Sequence, residues 1–229
     1  MNDPSANDQE IARVHRSKEE ARAAYDRIAP CYEAVAGFWE RRTRNRGLEK
    51  LDVEMGEVVL EIGPGPGHSM VSLAQAVGQG GQACGIDISP RMCRTAQERL
   101  RNHTLLERSQ LICGDGAQLP FRGASFDALF MSFTLELFDT PRIPRVLAEC
   151  RRVLRGSGRI CVVSLAKGEN SNPLVSLYEW GHEQFPNLLD CRPIYARQSL
   201  ATAGFRILDS ERFLLWGLPV EIVLARVPG

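Results

Sequence analysis

Three acids, Glu61, Asp87 and Asp115, each close an apolar run, and glycines at alternate positions follow the first. That first run, Val58-Val59-Leu60-Glu61-Ile62, is apolar on both faces and carries β-branched residues, which suits a buried parallel strand. Gly63, Gly65 and Gly67, interleaved with Pro64 and Pro66, then permit a tight turn and let a ligand approach where a Cβ would collide. No Gly-Lys-Ser/Thr follows to cradle phosphates and magnesium. His68 also stands where a dinucleotide-binding turn needs its third small residue. An acid just ahead of the glycines would crowd a pyrophosphate, but it suits a ligand that carries an ammonium group.

Asp87, in Gly85-Ile86-Asp87-Ile88-Ser89, lies about twenty residues beyond Gly67, where an α/β cofactor fold places the carboxylate that accepts both ribose hydroxyls. Asp115, in Cys113-Gly114-Asp115-Gly116-Ala117, can accept from an adenine amino group while the following amides face the ring edge. Read singly, either aspartate could be a turn or cap residue. Three acids at three successive strand ends read together as one site.

The elements that must position them alternate. Strands are expected near 57–62, 82–87, 109–113, 126–132 and 159–165, with helices near 67–77, 90–102 and 142–154 between them. Such alternation implies a parallel sheet with helices on both faces. Towards the end, residues 196–203 read as a helix stopped by Gly204. Strands near 205–213 and 219–227 follow, and the short turn between them returns the chain antiparallel. Before the core, an amphipathic helix is expected from Asp8, interrupted by Pro30. A second helix carries Tyr32, Val35, Phe38 and Trp39.

Composition narrows the classes further. A chain of 229 residues that is 44% apolar can bury one good core. Its 28 basic and 28 acidic residues balance, so there is no global electrostatic case for nucleic acid. The local basic run Arg41, Arg42, Arg44, Arg46 and Lys50 reads first as a solvated helix face, with a phosphate or membrane-surface patch as the alternative. The seven cysteines form no C-x-x-C pair, which argues against structural zinc and for buried, reduced thiols in a cytoplasmic setting. No apolar run approaches the length of a membrane span.

The segments Glu61–Gly67, Gly85–Ser89 and Gly114–Phe121 resemble the cofactor motifs of class I S-adenosylmethionine-dependent methyltransferases. Ser125–Phe130 is similar to their strand-four signature, and Val146–Arg159 to the helix and turn before strand five. The order and spacing resemble the small-molecule (type 11) branch that includes the ubiquinone and menaquinone methyltransferases. The resemblance implies a Rossmann-like, doubly wound α/β fold. Its sheet would have seven strands, mostly parallel with an antiparallel last strand. Residues 1–50 would form a helical cover, 51–229 the core, and 166–195 an insertion capping the substrate. It also implies S-adenosylmethionine as cofactor, no metal, and a small-molecule acceptor. The implied cofactor contacts are Tyr25, Tyr32, Glu61, Gly63, Pro64, Gly65, Gly67, Asp87, Ile88, Met92, Asp115, Gly116, Ala117, Ser132 and Phe133.

Methyl transfer from a sulfonium needs mainly positioning and exclusion of water, with a general base where the acceptor must lose a proton. Glu136 and His182 are the candidates for that base. In the quinone branch, strand four is followed by Phe-Gly-x-Arg-Asn. This chain instead reads Ser132-Phe133-Thr134-Leu135-Glu136-Leu137-Phe138, without the Arg-Asn pair. The aromatics Tyr178, Trp180 and Phe185 favour a lipophilic, quinone- or phenol-like acceptor. Two alternatives remain open. One is a phospholipid amine methylated at a membrane surface, and the other a catalytically silent cofactor-binding partner.

Overall fold

The computed structural model describes residues 19, 20, 23, 37–167, 192–215 and 217–228. The expected helix from Asp8, Tyr25, Tyr32, Tyr178, Trp180, Phe185 and His182 lie outside them. Helix α1 (Gly37–Leu51) leads into five strands interleaved with three helices. These run through β1 (Val58–Ile62), α2 (His68–Ala76), β2 (Gln82–Asp87), α3 (Pro90–Asn102), β3 (Ser109–Cys113), β4 (Phe126–Ser132), α4 (Ile143–Val153) and β5 (Leu154–Leu165). Helix α5 (Ala196–Thr202) and the strands β6 (Arg206–Leu215) and β7 (Leu218–Arg226) complete the described chain. The seven strands form one sheet in the order β3-β2-β1-β4-β5-β7-β6, and β7 runs antiparallel to both of its neighbours.

Alternation along the strands divides the core into two layers. Leu60, Ile62, Leu129, Met131, Ile160 and Val162 face the layer that contains Val146, Leu147 and Cys150 of α4 and Leu200 of α5. Val59, Ala128, Phe130, Cys161 and Val163 face the other, with Leu51 of α1, Met70 and Leu73 of α2 and Leu100 of α3. Parallel strands covered on both faces need apolar residues at successive positions, which is why β1, β4 and β5 read as near-continuous apolar runs.

One boundary differs from expectation. β5 starts at Leu154, directly at the end of α4, rather than near 159. Leu154 pairs with Phe126, and the register then shifts so that Ala128 pairs with Arg159. Arg155 meets Asp127 at this irregularity. The basic run also departs in part from a solvated face. Arg46 pairs with Glu211 and lies 5.2 Å from the centre of the Phe213 ring, while Lys50 pairs with Asp209 and Glu211. These contacts tie α1 to β6 across the outer end of the sheet.

Arg159 makes four hydrogen bonds that tie together three parts of the chain. Its Nε donates to the Leu51 carbonyl at 2.6 Å, and its two terminal nitrogens meet the two Glu57 oxygens at 2.7 and 2.8 Å. The end of α1, the approach to β1 and the middle of β5 are thereby joined by one bidentate group. Arg159→Ala is expected to cost about 2–3 kcal/mol of stability, because it strands partly buried acceptors. Arg155→Ala, at an exposed pair, is expected to cost under about 1 kcal/mol. Urea unfolding of the two variants, side by side, checks the ranking.

Candidate active site

The site is built where β1, β2, β3 and β4 end. Glu61 is 1% exposed and accepts a hydrogen bond from the Ser69 hydroxyl at the start of α2. Burial pushes the Glu61 carboxyl up to about 7, against the opposing pull of Ser69 and of the positive charge of Arg44. A buried carboxyl near neutrality is poised to ionise when a cation arrives.

The glycine turn joins β1 to α2. Gly63 has φ +73°, and a Cβ built there would lie 2.5 Å from Thr134 Oγ1. The turn is thus pressed against the segment after β4, and the absence of a side chain is structural. Gly65 has φ +53°, yet a Cβ there would meet nothing within 4 Å. Its lack of a side chain keeps a space open above the turn, as a backbone cradle for a ligand requires. Gly67 caps α2, and Pro64 is buried against Gly85.

Asp87 is buried, at 8% exposed, rather than a loose loop acid. One carboxylate oxygen accepts from the Gly65 amide at 3.0 Å and the other from the Ser89 amide at 2.9 Å. It therefore fixes the glycine turn and the start of α3 together. Met92, 2% exposed, donates its amide to the Ser89 hydroxyl, and Ile88 is half-buried beside it. Asp115 accepts from the Ala117 amide at 3.0 Å and from Arg142 at 3.1 Å. Gly116 and Ala117 are buried behind it, with a Cβ on Gly116 landing 2.6 Å from Ile62. Glu61, Asp87 and Asp115 are thus brought to one edge of the sheet with the turn between them.

At the end of β4, Ser132 is half-buried and Phe133 is buried with φ +50°. A positive φ is rare for a bulky residue and marks strain of the kind found at ligand sites. Glu136 is fully buried in the short 3-10 helix Leu135–Leu137, and its Oε1 accepts from the Leu165 amide at 3.1 Å. It joins the ends of β4 and β5.

Several participants carried no sequence signal. Arg142, in the 3-10 helix Thr140–Arg142, reaches Asp115. Arg99 of α3 donates to the Pro66 carbonyl at 2.8 Å and lies 3.0 Å from His68 Nδ1. Burial, followed by the charges of Arg44 and Arg41, lowers the His68 pKa, so Nδ1 serves as an acceptor and His68 braces the turn. Arg192, 1% exposed, donates to the Phe138 carbonyl at 2.6 Å. Only the regular order of acids and glycines was legible, because these arginines reach the site from distant elements.

Two outcomes are expected from this geometry. Gly63→Ala should lower stability by more than Gly65→Ala, which should cost only the roughly 1–2 kcal/mol of a left-handed non-glycine residue. Gly65→Ala should instead show its main loss in affinity for S-adenosylhomocysteine, as read by calorimetry beside thermal melts. For Glu61, the folded pKa lies above the unfolded 4.5, so its contribution to stability is complete below pH 4.5 and is lost as pH rises to about 7. Against Glu61→Gln, the wild type should lose on the order of 3 kcal/mol across that window. An ammonium group bound beside Glu61 favours the charged form. Ligand binding near pH 6 should therefore release protons, seen as a buffer-dependent binding enthalpy that Glu61→Gln abolishes.

A methyltransferase-domain family matches residues 59–158, the stretch that carries all three acids. The demethylmenaquinone methyltransferase of Lactobacillus johnsonii is 30% identical over 168 residues, covering 71% of this chain and 67% of that protein. The nocamycin O-methyltransferase of Saccharothrix syringae is 34% identical over 156 residues, covering 68% of this chain and 52% of that one. Among solved structures, the cyclase SpnF superposes with a TM-score of 0.74 at 20% identity, over 93% of this chain and 97% of its own, a likeness of fold. The chain belongs to the class I S-adenosylmethionine-dependent methyltransferases, in the branch that contains the menaquinone methyltransferases.

Proposed function

We propose that this methyltransferase acts on a small lipophilic ring acceptor, quinone- or phenol-like, whose ionisable hydroxyl lies at or beside the methylated atom. The observation that carries the reading is the pair of relatives. One is named for demethylmenaquinone and the other for O-methylation of nocamycin, and each aligns over about two thirds or more of this chain. The segment after β4 supports it, because Leu137 and Phe138 there are apolar and only half-buried. The missing Arg-Asn pair favours the phenol-like end of this range.

The glycine turn would hold the methionine end of the cofactor, with Glu61 facing its ammonium group. Asp87 would take the ribose hydroxyls and Asp115 the adenine amino group. The cofactor supplies an already activated methyl group, so the residues of this chain mainly orient the acceptor and exclude water. Tyr25 and Tyr32 would belong to a cover formed by residues 1–50. Residues 166–195 would cap the acceptor. Both ends of that segment are fixed side by side: Ala166 forms a parallel bridge to Ile194, and Lys167 donates to the Ile194 carbonyl at 3.0 Å. Glu136 or His182 would take a proton from the acceptor.

A phospholipid amine is less well supported, since Arg46 and Lys50 of the basic run are committed to Glu211 and Asp209. Among the described residues, no helix is long and apolar enough to cross a membrane. We place the protein in the cytoplasm on its free thiols.

The test incubates the protein with methyl-labelled cofactor and three acceptors: a naphthoquinol, a hydroxylated polyketide, and phosphatidylethanolamine vesicles. Label is expected on one of the ring acceptors, at a rate that rises with pH toward the acceptor's own pKa. Label confined to the vesicle lipid would overturn the reading.

A further inference from the structure

Two cysteines lie near each other beneath the adenosine side of the site. Cys93 lies on the inward face of α3, one turn before Ala96 and two before Leu100, both fully buried. Cys113 ends β3, and strand alternation puts it on the same face as Leu111, which packs in the layer that holds Leu100. Asp87 and Cys113 pair across β2 and β3, so both thiols gather at the same strand ends. Cys93 Sγ lies 3.8 Å from the Asp87 carbonyl and 3.7 Å from that of Ile112, and Cys113 Sγ lies 3.7 Å from that of Ile88. Both are free thiols. Buried cysteines were expected from the sequence, and Cys84, Cys150 and Cys161 fit. Cys93 is only half-buried, and Cys113 is exposed.

We propose that Cys93 and Cys113 form a reversible dithiol–disulfide site that lowers cofactor affinity when oxidised. The exposed Cys113 thiolate attacks a peroxide oxygen, breaking the O–O bond. This gives a sulfenic acid and hydroxide, which takes up the proton that the thiol had released and leaves as one water. Cys93 sulfur then attacks the sulfenic sulfur and displaces hydroxide, which takes the Cys93 proton and leaves as a second water. The two thiols are oxidised by two electrons, and the peroxide is reduced by two.

The order of events follows from the surroundings. Burial, followed by Asp87 and by Cys113 itself, pushes the Cys93 thiol up to about 12, so Cys93 is not the first to react. Oxidation of Cys113 removes that residue's share of the effect. Cys93 Sγ lies 3.7 Å from the carbonyl of Ile112, the residue before its target, so proximity compensates for its weak acidity.

The consequence for the site is geometric. Asp87 and Asp115 stand on either side of the pair: Cys113 is two residues from Asp115, and the Gly114 amide donates to the Asp87 carbonyl at 2.9 Å. A covalent bond draws the start of α3 and the end of β3 together beyond thiol contact. It also removes the thiol protons directed at the Asp87, Ile88 and Ile112 carbonyls. The floor between the two acids contracts, and the space for adenosine contracts with it. Rare cytoplasmic disulfides are commonly of this transient, sensing kind.

The experiment uses the full chain. The protein is treated with hydrogen peroxide, its remaining thiols are alkylated, and its peptides are mapped by mass. S-adenosylhomocysteine affinity is measured before oxidation, after it, and after dithiothreitol. The expected result is a Cys93–Cys113 cross-linked peptide and about tenfold weaker binding, within the usual range of coupling between sites. Dithiothreitol should restore both, and both should be absent in Cys113→Ser and Cys93→Ala. Three results would overturn the proposal: no cross-linked peptide, a cross-link with affinity changed by less than about twofold, or the same loss of affinity in Cys113→Ser. Binding by the reduced wild type is a separate measurement, so failure of the cofactor site itself is distinguishable from failure of the switch.

Discussion

The Asp87 carboxylate is the joint on which the site depends. It ends β2, yet its two oxygens accept amides from the turn after β1 and from the cap of α3. A parallel sheet aligns strand ends but leaves the loops beyond them unpaired. Here one buried acid links two of those loops at the sheet edge. Around it, Gly63 presses against Thr134, Arg99 braces the far side of the turn, and the Gly114 amide meets the Asp87 backbone. The cradle is thus assembled by contacts among four strand ends rather than by any one motif.

Much of this was legible in the sequence, for local reasons. Strand ends, glycine turns and acids recur within a few residues of each other, and apolar periodicity located β2, β3, β4 and α3 to the residue. The exception at Leu154 is instructive. Gly156 and Gly158 read as a turn, but pairing of Leu154 with Phe126 extends β5 back through them. Pairing across a sheet outweighs local punctuation.

What could not be read was the set of long-range charge contacts. Arg46 and Glu211 are 165 residues apart and Arg159 and Leu51 108, and nothing in either neighbourhood names its partner. The same holds for Arg142 at Asp115 and for the burial of Glu136. A buried acid and a cap acid have the same letter, and only the fold assigns them different work. Relatives known by name narrow the reaction class, but the acceptor is chosen by surfaces that composition alone does not order.

The stitched stems at Ala166 and Ile194 have an evolutionary side. Because Ala166 and Ile194 bridge in parallel and Ile194 donates back to Leu165, the chain leaves the sheet and returns to it at a single fixed gate. The entropy of closing that gate depends only weakly on how much chain lies beyond it. Residues between the stems can therefore be lengthened, shortened or exchanged while the sheet and the cofactor acids keep their places. One scaffold could in this way be fitted to a succession of acceptors, its identity as a methyltransferase conserved in the strands and its chemical taste rewritten at the gate.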